Sequence, residues 1–416
     1  MAQLSDDCFA FGGALMSVEE AQALIAERVP SLGGEEEVPL ALARGRVLAR
    51  DLIAPIPLPP FFNAAVDGWA FRHEDLQEGM VTRFEEAGRV AAGRIAIRPV
   101  GPREAMRVFT GAPMPPGADT CVMQEDIRRE GRALLVPHGL KRGANARPAG
   151  EDIARGELAL PAGRRLGPAE IGLAAALGQA RLAVRPLPRI GVFSTGDELV
   201  EPGQHLGPAR TYDSNRFTLL ALLAGLPCRA SDLGILPDRA EPTRKALAAA
   251  AREHDLLLTS GGVSTGEEDH VRAGIEAAGR LVFWRLAVKP GRPAAMGVVG
   301  GTPVLGLPGN PVAAVVGFLH LARPLVLRLA GAAAEPLPRF AAVADFAYRK
   351  KEGRREYVRV TLALEDGVTR ARKFPREGAG LLTSLTRSDA FAELPERVTT
   401  VAPGDRITVL PFAGVL

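Results

Sequence analysis

The alternation of apolar and polar positions changes rhythm several times along the chain. Near the N-terminus, AQALIAERV follows a Ser17/Glu20 capping pair and is closed by Pro30, which predicts a helix over about 18–29. Residues 51–62 (DLIAPIPLPPFF) place four prolines in twelve positions; regular helix is excluded and an extended connector is expected. From 61 to 145, short apolar runs (VTRFEEAGRVAAG, MRVFTGA, TCVMQE, RALLVPH) are separated by Gly and Pro, as in a small β-rich module. The segment Arg147-Pro148-Ala149-Gly150 marks the return from it, and a Pro-initiated helix from Pro168 to Leu177 ends at Gly178. Val184 to Pro188 supplies a second stiff connector.

Beyond it, strand-like and helix-like segments alternate: IGVFS (190–194), a helix over about 215–224, LGILP, a helix over about 240–252, DLLLTS (255–260), LVFWRLAV (281–288), PVLGL (303–307) and a helix after Pro311. This is the pattern of a doubly wound sheet, whose ligands bind where the strands end. From about 336 the chain reads as strands again (AAVADFAYR, REYVRVTLAL, RITVLPF), and a small β-barrel is expected.

Composition narrows the class. With 416 residues, 47% hydrophobic and 24% charged, the chain is long enough for several packed domains and too apolar to be largely disordered. A formal charge of +3 gives no general footprint for nucleic acid or a lipid surface, so neither partner is expected. Cys8, Cys121 and Cys228 are widely spaced, which indicates neither a disulfide framework nor a zinc knuckle and suits a reducing cytoplasm. The N-terminus has acidic residues where a signal peptide is basic. The apolar stretch Val312–Leu329 is broken by His320, Arg323, Pro324 and Arg328, so it reads as a buried helix and no membrane span is expected.

Four loops at strand ends carry the candidate chemistry. Thr195-Gly196-Asp197-Glu198 sets two carboxylates past one strand, either as a helix cap with a solvated neighbour or as groups facing a ligand. Ser260-Gly261-Gly262-Val263-Ser264-Thr265 and the following Glu267, Glu268 and Asp269 combine glycines that free backbone N–H groups with hydroxyl donors, a phosphate cradle. Lys289-Pro290-Gly291-Arg292-Pro293 holds two cations between prolines, and Pro308-Gly309-Asn310-Pro311 is a bare turn opening a helix. Asp238, after LGILP, is a further strand-end carboxylate or the cap of the next helix. Acids, donors and cations on one sheet edge suit a phosphorylated ligand with Mg²⁺.

The motifs FSTGDEL (193–199), TYDSNR (211–216), TSGGVSTGEEDHV (259–271), KPGRP (289–293) and GLPGNP (306–311) resemble those of the molybdopterin molybdenumtransferase family, which includes MoeA and the gephyrin E domain. So do PPFFNAAVDGWAFR (59–72), VFTGAPMPPGAD (108–119) and RPAGEDI (147–153), so the resemblance covers nearly the whole chain. It implies a multi-domain α/β plus β architecture. Its parts are a discontinuous helical linking domain (14–60 and 146–186), an inserted β-rich lobe (61–145), a central doubly wound α/β molybdopterin-binding domain (187–334) and a C-terminal β-barrel (335–416), in a homodimer.

The activity implied is insertion of molybdate into adenylylated molybdopterin with release of AMP, in a Mg²⁺-dependent reaction. On this resemblance Ser260, Gly261, Gly262, Ser264 and Thr265 serve the phosphates, with Pro308 and Asn310 beside them; Lys289, Arg285 and Arg292 bind anions, joined by Arg359 in the barrel. Glu198, Asp238 and Asp269 are candidate ligands of Mg²⁺ or orienters of water. Asp67 matches the family's functional Asp and completes the site across the dimer, supported by Asp152, Thr110 and Glu125. The chain departs from the family pattern at Arg285, where many members have Lys, at Ala379, where Ser is usual, and at Phe62 and Ala64. A molybdopterin adenylyltransferase and apo-molybdoenzymes are the expected partners. Two other readings share the fold: a binding scaffold, free to lose these acidic and basic residues, and an adenylyltransferase, which consumes ATP.

Overall fold

The computed structural model describes residues 15–236, 239–263 and 270–416. Helix α1 (Val18–Arg28) begins at a complete capping box: Ser17 Oγ accepts from the Glu20 N–H at 3.1 Å, and the Glu20 carboxylate accepts from the Ser17 N–H at 2.7 Å. Two donors that the first turn leaves unpaired are thereby satisfied. Three short antiparallel ladders then tie the chain before the lobe to the chain after it: 36–39 with 181–184, 52–53 with 158–160, and 63–64 with 146–147. Helix α2 (Pro168–Ala176) packs over them on a small core that includes Val38, Leu48, Leu166 and Leu182.

Between these ladders the lobe forms a six-stranded sheet from β1 (Gly68–Phe71), β2 (Thr82–Val90), β3 (Glu104–Val108), β4 (Thr120–Met123), β5 (Arg128–Glu130) and β6 (Ala133–Val136). Their order is β4-β1-β3-β2-β6-β5, with β2 and β3 parallel and every other pair antiparallel.

The central unit contains β7 (Arg189–Thr195), α3 (Asn215–Leu223), β8 (Arg229–Leu236), α4 (Ala240–Glu253), β9 (Leu256–Ser260), α5 (His270–Ala278), β10 (Gly279–Arg285), β11 (Val288–Lys289), β12 (Pro293–Val299) and β13 (Thr302–Leu307). Strand order is β8-β7-β9-β13-β12-β10. The first four are parallel, and β12 and β10 are antiparallel to their neighbours. Helices cover both faces. Ile190, Val192, Leu258 and Leu305 meet Leu219 and Leu223 of α3 on one side. Phe193, Leu257 and Val304 meet Leu247 and Ile275 of α4 and α5 on the other. Burial on two faces explains the near-continuous apolar runs of these strands.

The expected alternation is thus modified at one edge. The run 281–288 is not one strand: 279–285 stays in the sheet, whereas 288–289 leaves it, and 293–299, which carries no strand signal of its own, returns antiparallel. Two reversals restore direction, so β10 ends at the same sheet edge as β7, β9 and β13.

The helix after β13 runs as α6 (Pro311–Gly317), a π-helical turn over Phe318–Ala322 and α7 (Arg323–Leu329). It lies in the core, as its interrupted apolar pattern suggests.

The C-terminal strands are β14 (Phe340–Ala344), β15 (Arg355–Glu365), β16 (Val368–Lys373), β17 (Ala390–Leu394) and β18 (Arg406–Pro411). Pairing runs β15-β16-β14-β18-β17 and back to β15, a closed five-stranded barrel with no open edge inside the ring. Strand β11 pairs parallel with the start of β15, setting Lys289 opposite Glu356 and joining the α/β unit to the barrel.

Candidate active site

The loops leaving β7, β9 and β13 meet at one rim. Gly261 and Gly262 have φ of +97° and +66°, and a methyl group on either would lie 2.7–2.8 Å from an oxygen of Thr195, so the approach of these loops requires glycine. The Gly261 N–H donates to Leu307 O at 3.0 Å. Ser260 is buried; its hydroxyl donates to Pro308 O at 3.2 Å and accepts from Asn215 Nδ2 at 2.8 Å. The same Asn215 nitrogen reaches Gly309 O at 2.8 Å. In this structure Ser260 therefore fastens two loops, and its hydroxyl is engaged within the protein. Thr195 Oγ1 is buried beside this rim without a protein partner among the described residues. Glu198 is exposed at the end of β7, its carboxylate folded over Gly196.

Next to the rim, between the α/β unit and the barrel, is a cavity of about 570 Å³. Lys289, Arg292, Pro308, Asn310 and Arg359 all line it, with seven basic side chains against three acidic ones. Its wall is fixed by backbone: the Val312 N–H donates to Ala379 O at 3.0 Å, so the position that departs from the family serine clasps α6 through its carbonyl. Arg359 is buried and donates Nε to Ser384 Oγ at 3.1 Å and Nη2 to Gly378 O at 3.0 Å. Burial pulls its pKa below the usual arginine range, although arginine remains protonated in proteins. Lys289 Nζ, less enclosed, lies 3.3 Å from both Tyr348 Oη and Glu356 Oε2.

Other expected residues lie elsewhere. Arg285 is half-buried, its carbonyl accepting from the Met16 N–H at 3.2 Å, and it does not line the cavity. Asp67 and Thr110 sit together in the lobe: the Asp67 carboxylate accepts from the Thr110 N–H and hydroxyl, each at 2.8 Å. These two bonds, the backbone one foremost, hold Asp67 below the ordinary aspartate range. Glu125 follows Gln124, whose N–H donates to Asp67 O at 3.0 Å, so this trio is one cluster. Asp152 is exposed on the segment that hydrogen bonds back to Leu58. Among the described residues none of these four lines the cavity. Asp238, Ser264, Thr265 and Asp269 lie outside the described residues.

The structure adds groups that the sequence does not single out. Besides Asn215, Arg216 of α3 is buried and donates to three carboxylates: Asp213 at 2.9 Å, Glu201 at 2.5 Å and Asp232. This network pins the segment after β7 to β8 and α3. The TYDSNR motif contains the signal, but its Asp-x-x-Arg spacing alone is also that of an ordinary helix turn. Glu356 and Tyr348 are the other additions; in REYVRV the acid shares its strand face with Val358 and Val360, and like them it is buried.

Among the described residues no three His, Cys, Asp or Glu side chains form a cluster able to cage a metal. The donor set nonetheless fits Mg²⁺ delivered on phosphates, since that ion needs only one or two carboxylates beside phosphate oxygens and water, and Glu198 offers one.

A mixed α/β sheet with a cation-rich cavity under a β-barrel, and a β-lobe inserted into a linking unit, defines a class with known representatives. Residues 16–178 match the MoeA N-terminal region (domain I and II), 191–328 a probable molybdopterin binding domain, and 341–412 the MoeA C-terminal region (domain IV). The chain is 36% identical to the molybdopterin molybdenumtransferase of Haemophilus influenzae over 97% of its own length and 100% of that protein's. It is 34% identical to molybdopterin molybdenumtransferase 2 of Mycobacterium tuberculosis, over 95% and 99% of the two chains. Among solved structures, the molybdopterin biosynthesis MoeA protein of Pyrococcus horikoshii OT3 superposes with a TM-score of 0.82 at 29% identity, covering 95% of this chain and 100% of that one. The chain belongs to the MoeA family of molybdopterin molybdenumtransferases.

Proposed function

We propose that this chain inserts molybdate into adenylylated molybdopterin and releases AMP, the final assembly step of the molybdenum cofactor. The observation that carries the reading is the continuity of two unlike surfaces: a glycine-bared rim at the strand ends opening beside a cavity with a surplus of cations. The rim offers backbone N–H groups to the substrate's phosphates. The cavity offers Lys289, Arg292 and Arg359 to a tetrahedral dianion, with Pro308 and Asn310 between the two. Glu198 would hold Mg²⁺ at the rim, where the ion neutralises phosphate charge when bound. No nucleophile is needed from the protein. Holding the oxyanion against the dithiolene sulfurs and stabilising the charge on departing AMP account for the chemistry.

The lobe cluster of Asp67, Thr110 and Glu125 does not line the cavity of its own chain, and this supports a homodimer in which the second copy brings it to the site. Asp67, kept ionised by Thr110, serves there as an acceptor or counter-charge rather than an acid. A protein of this composition is expected to work in the cytoplasm, receiving substrate from an adenylyltransferase and passing product to apo-molybdoenzymes. The test is to incubate purified protein with adenylylated molybdopterin and Mg²⁺, with and without molybdate, and measure AMP and transferable cofactor. Molybdate-dependent AMP release is expected. Binding without turnover would indicate a scaffold, and ATP-dependent adenylylation of free molybdopterin would move the protein one step earlier.

A further inference from the structure

Glu356 is unusual among the acids of the cavity. It is 1% exposed, and both of its oxygens are engaged: Oε1 accepts from Arg354 Nε at 2.8 Å, and Oε2 accepts from Tyr348 Oη at 2.7 Å with Lys289 Nζ at 3.3 Å. The first contact stays within the barrel. The second reaches across the junction made by β11 and β15 to a lysine of the other unit, whose side chain is 45% exposed. Tyr348 lies between the two, and Lys373, paired with Glu377 at 2.9 Å, approaches its ring at 5.6 Å. A buried acid that merely needed partners is served by Arg354 and Tyr348. Of the two cations on this acid, the lysine is the more exposed, 45% against 32% for Arg354, and the one held by the other unit.

We infer that Glu356, oriented by Tyr348, is a built-in counter-charge that competes with oxyanions for Lys289 and so sets how tightly and how reversibly the cavity holds them. This positioning role rests on reading the cavity as the oxyanion site. Its logic is competition for one ammonium group. With no ligand, the carboxylate neutralises Lys289; a dianion displaces it because it carries twice the charge, and Glu356 then repels the bound ligand and speeds its departure. Tyr348 donates to the same Oε2 that faces the lysine, which weakens that oxygen's hold on Lys289 and keeps the ammonium available.

The two residues therefore predict opposite effects. Glu356→Gln keeps the shape and an acceptor for Arg354 but removes the charge. Loss of orientation is a small effect for a half-exposed lysine, whereas loss of a buried charge near the ligand is a large one, so binding should tighten by about tenfold or more. Tyr348→Phe leaves Oε2 to Lys289 alone, and binding should weaken several-fold. The experiment is calorimetric titration of the full-length protein with molybdate, and with sulfate, in wild type, Glu356→Gln, Tyr348→Phe and Lys289→Ala, each checked for a wild-type thermal transition. Opposite signs for the first two variants support the counter-charge. Weakening in both would mean that Glu356 and Tyr348 are only structural, and no change in either would also overturn the inference. If wild type and Lys289→Ala alike fail to bind either oxyanion, it is the reading of the cavity that falls, a result distinct from a failure of Glu356 alone. Tyr348→Phe weakens binding on either reading, so the sign of Glu356→Gln decides; should that variant not fold, Glu356→Ala, which also removes the charge, is titrated in its place.

Discussion

At the scale of single residues, Lys289 and Asp67 illustrate two ways of keeping a charge ready. Lys289 stays partly open to solvent while its ammonium rests near a buried carboxylate, so it is restrained without being used up. Asp67 is held ionised by two donors from Thr110, which removes it as a proton source at neutral pH and leaves it as an acceptor. Arg359 is the contrasting case: its donors to Ser384 and Gly378 tie it into the barrel wall. Lys289 is therefore the cation whose loss should act through oxyanion binding rather than through the fold. In Lys289→Ala the KM for molybdate should rise about tenfold or more, the equivalent of at least ~1.4 kcal/mol, with turnover recovering at high molybdate. Steady-state AMP release at varied molybdate checks this, and a defect unchanged by molybdate concentration counts against the assignment. Of these residues, Lys289 and Asp67 were legible because each stands in a motif, while Glu356 was not: burial of an acid in a barrel strand depends on what the strand of another unit places opposite it.

Among the elements, the helix joining the α/β unit to the barrel carries a titrating group. His320 lies in the π-helical turn, 2% exposed, its ring 4.6 Å from that of Tyr357 of β15, which in turn meets Phe391 of β17 edge-on. Burial first, then Arg339 and Arg355, push its pKa from 6.5 down to about 3. The folded state therefore holds it neutral. Below pH 6.5 the unfolded chain binds a proton that the folded chain does not, so this site's contribution is full above that value and is lost as pH falls toward 3, at roughly 1.4 kcal/mol per pH unit. His320→Phe keeps a ring against Tyr357 and abolishes the titration; its Tm should fall less steeply with acidification than that of wild type. Parallel slopes in calorimetric scans from neutral to mildly acidic pH would remove His320 from the account. The helix itself was legible from its apolar run, but the π-turn was not, since apolar spacing does not distinguish a five-residue turn within a fully buried helix. Strand β12 escaped for a related reason: Pro293-Ala-Ala-Met-Gly offers little β-branched signal, and only pairing with β13 makes it a strand. The parallel strands β7, β9 and β13 were plain, because burial on both faces writes itself as an unbroken apolar run.

For the whole molecule, the proposed role of the lobe cluster requires that it reach a cavity between two other units. Asp67, Thr110 and Glu125 are held together by bonds within the lobe, and none of them lines the cavity of the same chain. The lobe departs from and returns to the linking unit through ladders of two or three residues, which places it as a separate body on a narrow base. If a twofold dimer brings the lobe of one chain to the cavity of the other, then Asp67 and Lys289 of any one site come from different chains. Two variants, assayed at molybdate well below the wild-type KM so that Lys289→Ala is impaired as well, distinguish this from action within one chain. Asp67→Asn carries an intact cavity and a defective lobe, and Lys289→Ala the reverse. In a mixed dimer one site then receives both defects and the other receives neither. Random pairing makes half of the dimers mixed, so at that molybdate concentration co-expression should restore about a quarter of wild-type activity, above that of either strongly impaired chain alone. AMP release by the co-purified mixture, with each variant carrying a different affinity tag, measures it. Activity no higher than that of either variant by itself would mean that Asp67 acts on the cavity of its own chain, and the lobe would then have to swing on its base to reach it.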